Sequence, residues 1–406
     1  MTMTQAGETT TLRTPERTQR PLRVLHVITR MIVGGAQENT MLSCALIDRE
    51  RFASTILTGP ETGVEGELHS ESRARGVTVE VEPSLVRRLS PWHDLVATLR
   101  LWRTIRRGRY DIVHTHSSKA GILGRVAARL AGARVIVHTT HGWGFNSDQP
   151  WHIYWLYVWL ERLCVRFSDV VIVVGRPNRD EGLALGIGRP EQYQLIRSGI
   201  EIDAYRDVSL TRQEARARLQ LPHDAFVIGS VGRLGEQKAP HDLLAAFAPV
   251  AAAHPHSHLV FVGDGPLRAP LEAAIAKAGL TGRVHLMGLR RDVPELMRAF
   301  DVFALASRWE GLPRVFPQAM AAGLPIVATR VDGAPDAITS GENGWLVPVG
   351  DVATMSQHLA ALAADPAAAR RMGEAGRLRV EEFSAQRMVD ALAELYVKLA
   401  VGTTRT

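Results

Sequence analysis

Cysteine is almost missing from this sequence: Cys44 and Cys164 are the only two in 406 residues. Two thiols build neither a disulfide scaffold nor a cysteine-rich metal site, and their scarcity fits a reducing compartment, the cytoplasm. No apolar window reaches the roughly 18 residues a membrane-spanning helix needs. Residues 1–20, rich in Thr, Gln, Glu and Arg, lack an apolar centre and read as a disordered tail, not a secretion signal. Several signature loops are missing too. Without a Gly-Lys-Ser/Thr ending there is no P-loop, and Gly263-x-Gly265 carries Arg268 where a dinucleotide fingerprint needs its third glycine. No Asp-x-Asp element is placed to bridge phosphates through a metal. The basic segment described next lacks the interleaved aromatics and module motifs of nucleic-acid binders.

What is present is ordinary in bulk and uneven in distribution. With 46% hydrophobic and 22% charged residues, the chain has the composition of a globular protein of two or three domains. The net charge is +6, yet residues 81–130 hold ten basic and three acidic residues, so the remainder is near neutral. Such a concentration draws phosphate-bearing partners. Short apolar runs alternate with helical patterns almost throughout, the signature of parallel sheets with helices on both faces. The pattern pauses near residue 200. The expected fold class is therefore α/β, with one Rossmann-like half over 21–200 and a second over 201–383.

Helix 94–107 places Leu95, Leu99, Trp102 and Ile105 on one stripe, read as core-facing, with Arg100, Arg103 and Arg107 on another face. The aromatic segment Trp151–Leu160 is read as a buried helix in preference to one resting at a membrane interface.

Ligands in such sheets gather at the carboxyl ends of strands. There the chain offers Gly34-Gly35, His114-Thr-His116-Ser-Ser-Lys119-Ala-Gly121, His141-Gly142, and a loop with two cations, Arg233 and Lys238. Arg and Lys together suit a diphosphate. His114 and His116 are taken to face opposite sides of their strand, and no cysteine or carboxylate completes a zinc ligand set beside them. The stretch Ser307–Met320 sets Glu310 before Gly311-Leu312-Pro313 and a helix starting between Pro313 and Pro317 and closed by Gly323. Free N–H groups at a helix start favour an anion, and a carboxylate beside them favours hydroxyls. A phosphorylated sugar has both.

In this order and spacing, Gly34-Gly35, the His114–Gly121 segment, His141-Gly142, Gly232-Arg233-x4-Lys238 and Glu310-Gly-Leu with Ala319-Met320-Ala-x-Gly323 resemble a retaining GT-B glycosyltransferase of the family 4 type. The resemblance spans about residues 22–400. It implies two Rossmann-like domains facing across a cleft, with the last helix, 384–402, crossing back to the N-terminal domain. It implies transfer of a sugar from a UDP- or GDP-linked donor to a lipid-linked or other saccharide acceptor, with no cofactor and no metal. The catalytic residues would be Glu310 and His141. Arg233, Lys238, Gly311, Leu312, Gly34 and Gly35 would bind the donor diphosphate, and His116 and Lys119 would lie on the acceptor side. The basic window adds a possible contact with an anionic membrane at the inner face of the cytoplasmic membrane. Two positions depart from the pattern. Gln318 stands where the family carries a ribose-binding glutamate, and Ala239 stands where glycine usually follows the loop lysine. A non-catalytic sugar-nucleotide-binding subunit and a nucleotide-sugar epimerase of the same fold are the competing expectations.

Overall fold

The computed structural model describes residues 20–60, 66–146 and 148–402, so the tail read at 1–20 lies outside the described residues but for Arg20. The chain forms two parallel sheets. The first contains β1 (Leu22–Ile28), β2 (Phe52–Thr58), β3 (Thr78–Val81), β4 (Ile112–His116), β5 (Val135–Thr140), β6 (Val170–Val173) and β7 (Tyr193–Leu195). Its spatial order is β3-β2-β1-β4-β5-β6-β7. The second contains β8 (Phe226–Val231), β9 (Ser257–Val262), β10 (Val284–Leu286), β11 (Val302–Leu305), β12 (Ile326–Thr329) and β13 (Gly344–Val347). It is ordered β10-β9-β8-β11-β12-β13. Both are doubly wound. The strand order reverses between β1 and β4 in the first and between β8 and β11 in the second, which leaves a crevice at each reversal point.

The strands are apolar because helices cover both faces. Val302 and Ala304 of β11 point into one core with Phe247, Leu259 and Met355, while Phe303 and Leu305 point into the other with Phe316 and Ile326. The chain passes from one sheet to the other at Ile200 and returns at Ser384. The two crossings are tied by Ile200 N–H to Phe383 O at 2.8 Å and Ala385 N–H to Ile200 O at 2.8 Å. The last helix, Ala385–Gly402, then packs Met388, Val389, Leu392 and Tyr396 against β1, β4 and β5 of the first sheet.

Two expectations about helices are corrected. The helix read at 94–107 begins at Pro91, and its buried residues are Ala97, Leu101 and Ile105. Leu95 (53% exposed) and Leu99 (44%) point outward with Trp92 (71%). The core needs only the narrow Ala97–Leu101–Ile105 stripe, whose small first member lets the helix lie close to its neighbour. The aromatic segment is a helix, Trp151–Cys164, but Trp151 (76%), Trp155 (48%) and Trp159 (58%) are exposed. Only Val158, Glu161 and Cys164 of that helix are buried.

The basic window is also less uniform than its count suggests. Arg125 is 1% exposed and donates to Glu161 Oε2 at 2.7 Å and to Gly121 O at 2.8 Å. This pair joins the helix Ser118–Ala131 to the aromatic helix. Removing one partner leaves an uncompensated charge in the interior, whereas replacing both is close to neutral. Arg125→Met is expected to lower unfolding free energy by about 3–5 kcal/mol. Arg125→Met/Glu161→Leu should recover most of that loss, as read by urea denaturation; equal losses in both would contradict this account.

Candidate active site

The two reversal points face one another across a cavity of about 450 Å³. From the first sheet it is lined by Gly34, Gly35, Glu38 and His141, and from the second by Arg233, Lys238, Gly263, Glu310–Val315 and Gln318. Of the residues expected in a site, Gly34, Gly35, His141, Arg233, Lys238, Glu310, Gly311, Leu312 and Gln318 are brought together here. His116 and Lys119 are not. His116 is 1% exposed behind His141. Lys119 is held by Asp94 Oδ1 at 2.5 Å and by Arg88 O at 2.5 Å, away from the cavity lining.

Glu310 leaves β11 in a short loop and is fixed from several directions. Its Oε1 accepts from Lys238 Nζ at 2.5 Å and from Ser307 Oγ at 2.7 Å. Its backbone N–H donates to Asp332 Oδ2 at 2.7 Å, and Gln237 Nε2 donates to the neighbouring Trp309 O at 3.0 Å. Lys238 comes from the loop after β8, so this pair joins the two strands on either side of the reversal point. Gly311 N and Leu312 N, just beyond, have no acceptor among the described residues. The following helix is Val315–Ala321, a single pair of turns, and Gly323 closes it with φ 73°. Gln318, 7% exposed, sits on that helix and lines the cavity.

The two halves touch through backbone. A Cβ placed on Gly311 would lie 1.9 Å from His141 O, so only glycine fits there. Arg314, 7% exposed, donates through Nε to Gly199 O at 3.1 Å and pairs through Nη1 with Glu38 Oε2. Asp336 Oδ2 accepts from Arg176 N–H at 2.8 Å. Arg314, Glu38, Gln237 and Asp332 were not singled out in the sequence. Glu38 had a signal, being an acidic residue in the first turn after Gly34-Gly35; Asp332 had none. Ala239 adopts φ 42°, ψ 56°. It thus holds a left-handed conformation that costs a non-glycine residue roughly 1–2 kcal/mol, which is the conformation the usual glycine would adopt freely.

His141 Nε2 lies 3.1 Å from His116 Nδ1. Burial pushes the His141 pKa down to about 4, helped by the charge of Arg314, so the ring is neutral at pH 7. The expectation that His114 and His116 face opposite ways is overturned: their ring centroids are 4.2 Å apart. Residues two apart on a strand share a face.

Residues 34–199 match the family described as glycosyl transferase 4-like domain, and residues 211–379 match glycosyl transferases group 1. The chain belongs to the GT-B glycosyltransferases of the family 4 type. Over 388 residues it is 28% identical to a UDP-Gal:alpha-D-GlcNAc-diphosphoundecaprenol alpha-1,3-galactosyltransferase of Escherichia coli, covering 95% of this chain and 99% of that protein. A D-inositol 3-phosphate glycosyltransferase of Saccharomonospora viridis is 29% identical over 307 residues, 71% of this chain and 70% of that one. Among solved structures, Anabaena HepE in complex with UDP and glucose superposes with a TM-score of 0.79 at 24% identity, covering 92% of this chain and 99% of HepE. That likeness concerns the fold.

In this GT-B fold, Asp332, the acceptor of the Glu310 N–H, is a carboxyl group held away from its ordinary pKa. Burial, with a smaller contribution from Glu310, raises the Asp332 pKa to about 6. A carboxyl group with a raised folded pKa binds more protons in the native state, so it lowers stability as pH rises from about 4 to about 6. Asn at this position still accepts the Glu310 N–H. Asp332→Asn should therefore be more stable than the parent above pH 6, by up to about 3 kcal/mol, with the gain vanishing toward pH 4. Denaturant unfolding at pH 4, 5.5 and 7.5 reads this directly; a gain independent of pH would contradict it.

Proposed function

We propose that this glycosyltransferase moves a hexose from a UDP- or GDP-linked donor onto a lipid-linked saccharide, with retention at the anomeric carbon and without a divalent metal. The observation that carries this reading is the convergence of Arg233, Lys238, Glu310 and the Gly311 and Leu312 N–H groups on one cavity. Breaking the anomeric C–O bond builds positive charge on the sugar and negative charge on the departing phosphate. Lys238, Arg233 and the two N–H groups are fixed donors for that phosphate, and fixed donors stabilise a transition state without reorganising. In this reading they take the place of a divalent metal. Glu310 accepts hydrogen bonds from donor-sugar hydroxyls, and Lys238 and Ser307 hold it in place. Gly34 and Gly35 let the diphosphate approach the first sheet. Gln318 faces the ribose with a neutral carbonyl in place of a carboxylate, a weaker partner than a charged one. Retention follows from attack on the same face, the leaving phosphate taking the acceptor's proton.

The acceptor side rests on a surface. Trp92, Leu95 and Leu99 form one exposed stripe, and Trp151, Trp155 and Trp159 form another. Both helices pack on the helix Ser118–Ala131 of the first sheet. Arg100, Arg103 and Arg107 stand on the first of them. Tryptophan with arginine is the composition that settles at a charged bilayer interface. The Escherichia coli relative, by name, acts on a diphosphoundecaprenol-linked sugar, which supports a lipid-borne acceptor.

Two measurements test these readings. With a panel of nucleotide-sugars and an acceptor lipid, Glu310→Ala and Lys238→Ala should each cut nucleoside diphosphate release by ~10²–10³. Release that survives Glu310→Ala would remove Glu310 from the chemistry. Replacing Trp92, Trp155 and Trp159 by Ser should weaken binding to phosphatidylglycerol vesicles by at least about tenfold, without shifting the thermal midpoint. Unchanged vesicle binding would remove the membrane reading.

A further inference from the structure

Behind the cavity lies a connected set of buried polar rings that the proposed chemistry does not use. His26 on β1, His114 and His116 on β4, and Tyr396 on the last helix are each at most 1% exposed. Their contacts run in a chain. Tyr396 Oη lies 2.5 Å from His114 Nδ1, and His114 Nε2 lies 2.7 Å from Thr139 Oγ1. Tyr396 Oη also lies 3.5 Å from His26 Nε2. His26 Nδ1 lies 3.0 Å from His116 Nε2, and His116 Nδ1 lies 3.1 Å from His141 Nε2. His141 Nδ1 is left without a protein partner among the described residues, on a ring that lines the cavity.

Burial holds all four histidines below their ordinary pKa, so each ring is neutral and carries one N–H. A neutral imidazole donates from one nitrogen and accepts at the other. With every one of these contacts a hydrogen bond, the long 3.5 Å one between Tyr396 and His26 included, the chain has only two consistent polarities, and the single hydroxyl proton of Tyr396 selects between them. If Tyr396 donates to His114, His114 donates to Thr139. His26 Nε2–H must then donate to Tyr396, His116 Nε2–H to His26, and His141 Nε2–H to His116. His141 Nδ1 is then a bare lone pair. If Tyr396 donates to His26 instead, every bond reverses and Nδ1 carries the proton. The 2.5 Å contact to His114 against 3.5 Å to His26 favours the first order.

We infer that Tyr396, His26 and His116 are positioning residues that fix the tautomer of His141, so that its Nδ1 meets a donor-sugar hydroxyl as an acceptor. The sugar contact rests on the proposed function; the tautomer order does not. The last helix thereby sets a hydrogen-bonding state inside the cleft as well as covering the first sheet. A metal is the competing occupant, since His26, His114 and His116 bring one ligand atom each within 4.8 Å of the others. All six ring nitrogens of these three residues are, however, already engaged in the contacts above.

The test is the ring ¹⁵N spectrum of the full chain labelled at histidine, with His141 assigned from His141→Gln. Wild type should show His141 protonated at Nε2. Thr139→Val removes the acceptor of His114, which touches no other member of the chain, and should move the His141 proton to Nδ1. Tyr396→Phe removes the selector and should give both tautomers. Donor kcat/KM should fall about fivefold in Thr139→Val, the worth of one neutral hydrogen bond. A wild-type proton on Nδ1, the same tautomer in both variants, or a stoichiometric transition metal in the purified chain would each overturn the inference. A flipped tautomer with unchanged donor kcat/KM would overturn the sugar contact. The spectra need no substrate, so they stand or fall apart from the transferase reading.

Discussion

Arg314 is the interaction on which the rest of the site depends. It belongs to the second sheet's reversal point, yet it pairs with Glu38 and donates to Gly199 O on the other half of the molecule. Its stem lies 3.6 Å from where a Cβ of Gly35 would be. One buried guanidinium thus sets the separation at which two crevices become a single cavity. A buried charge is tolerated only when it is paired and hydrogen-bonded, and here its partners lie across the cleft. The glycine contact between Gly311 and His141 O works at the same separation. Neither half builds a complete site by itself, because the cations and the carboxylate stand on one side and the histidine on the other.

Electrostatics inside the cleft follow from this closure. Lys238 and Glu310 neutralise one another at 2.5 Å. The histidines behind it are neutral, which spares the site a repulsive positive cluster next to Arg314. In the proposed reading, a diphosphate entering the cavity would meet Lys238 and Arg233 on one loop and two N–H groups on the next. Since these sit at the reversal point of one doubly wound sheet, their geometry is set by strands and not by long mobile segments.

Much of this was legible in the sequence. Alternating strands and helices pointed to the α/β class, strand-end positions marked eight of the residues that line the cavity, and the family resemblance added Gln318 on the helix beyond. Strand ends are readable because ligands gather there for a general reason, the divergence of loops at a sheet's carboxyl edge. What escaped was long-range or depended on solvent. Asp332 meets Glu310 across 22 positions with no local pattern to betray it. Arg125 counted as a surface charge until its partner Glu161, 36 positions away, became visible. Leu95, Leu99 and three tryptophans obey the same periodicity as core residues, and periodicity does not say whether a stripe faces protein, lipid or water. His114 and His116, two apart on one strand, share a face, so the expectation that they point apart runs against the strand's alternation.

The central claim is that Lys238, held by Glu310, is the cation that binds the donor diphosphate across the joined cleft. Isothermal titration of whichever nucleoside diphosphate binds, UDP or GDP, with EDTA present, tests it most directly when set beside the matching monophosphate. The account predicts that Lys238→Ala weakens the diphosphate by about tenfold or more, as expected for one charged hydrogen bond, and leaves the monophosphate nearly unchanged. Equal affinity for the diphosphate in parent and variant would contradict it.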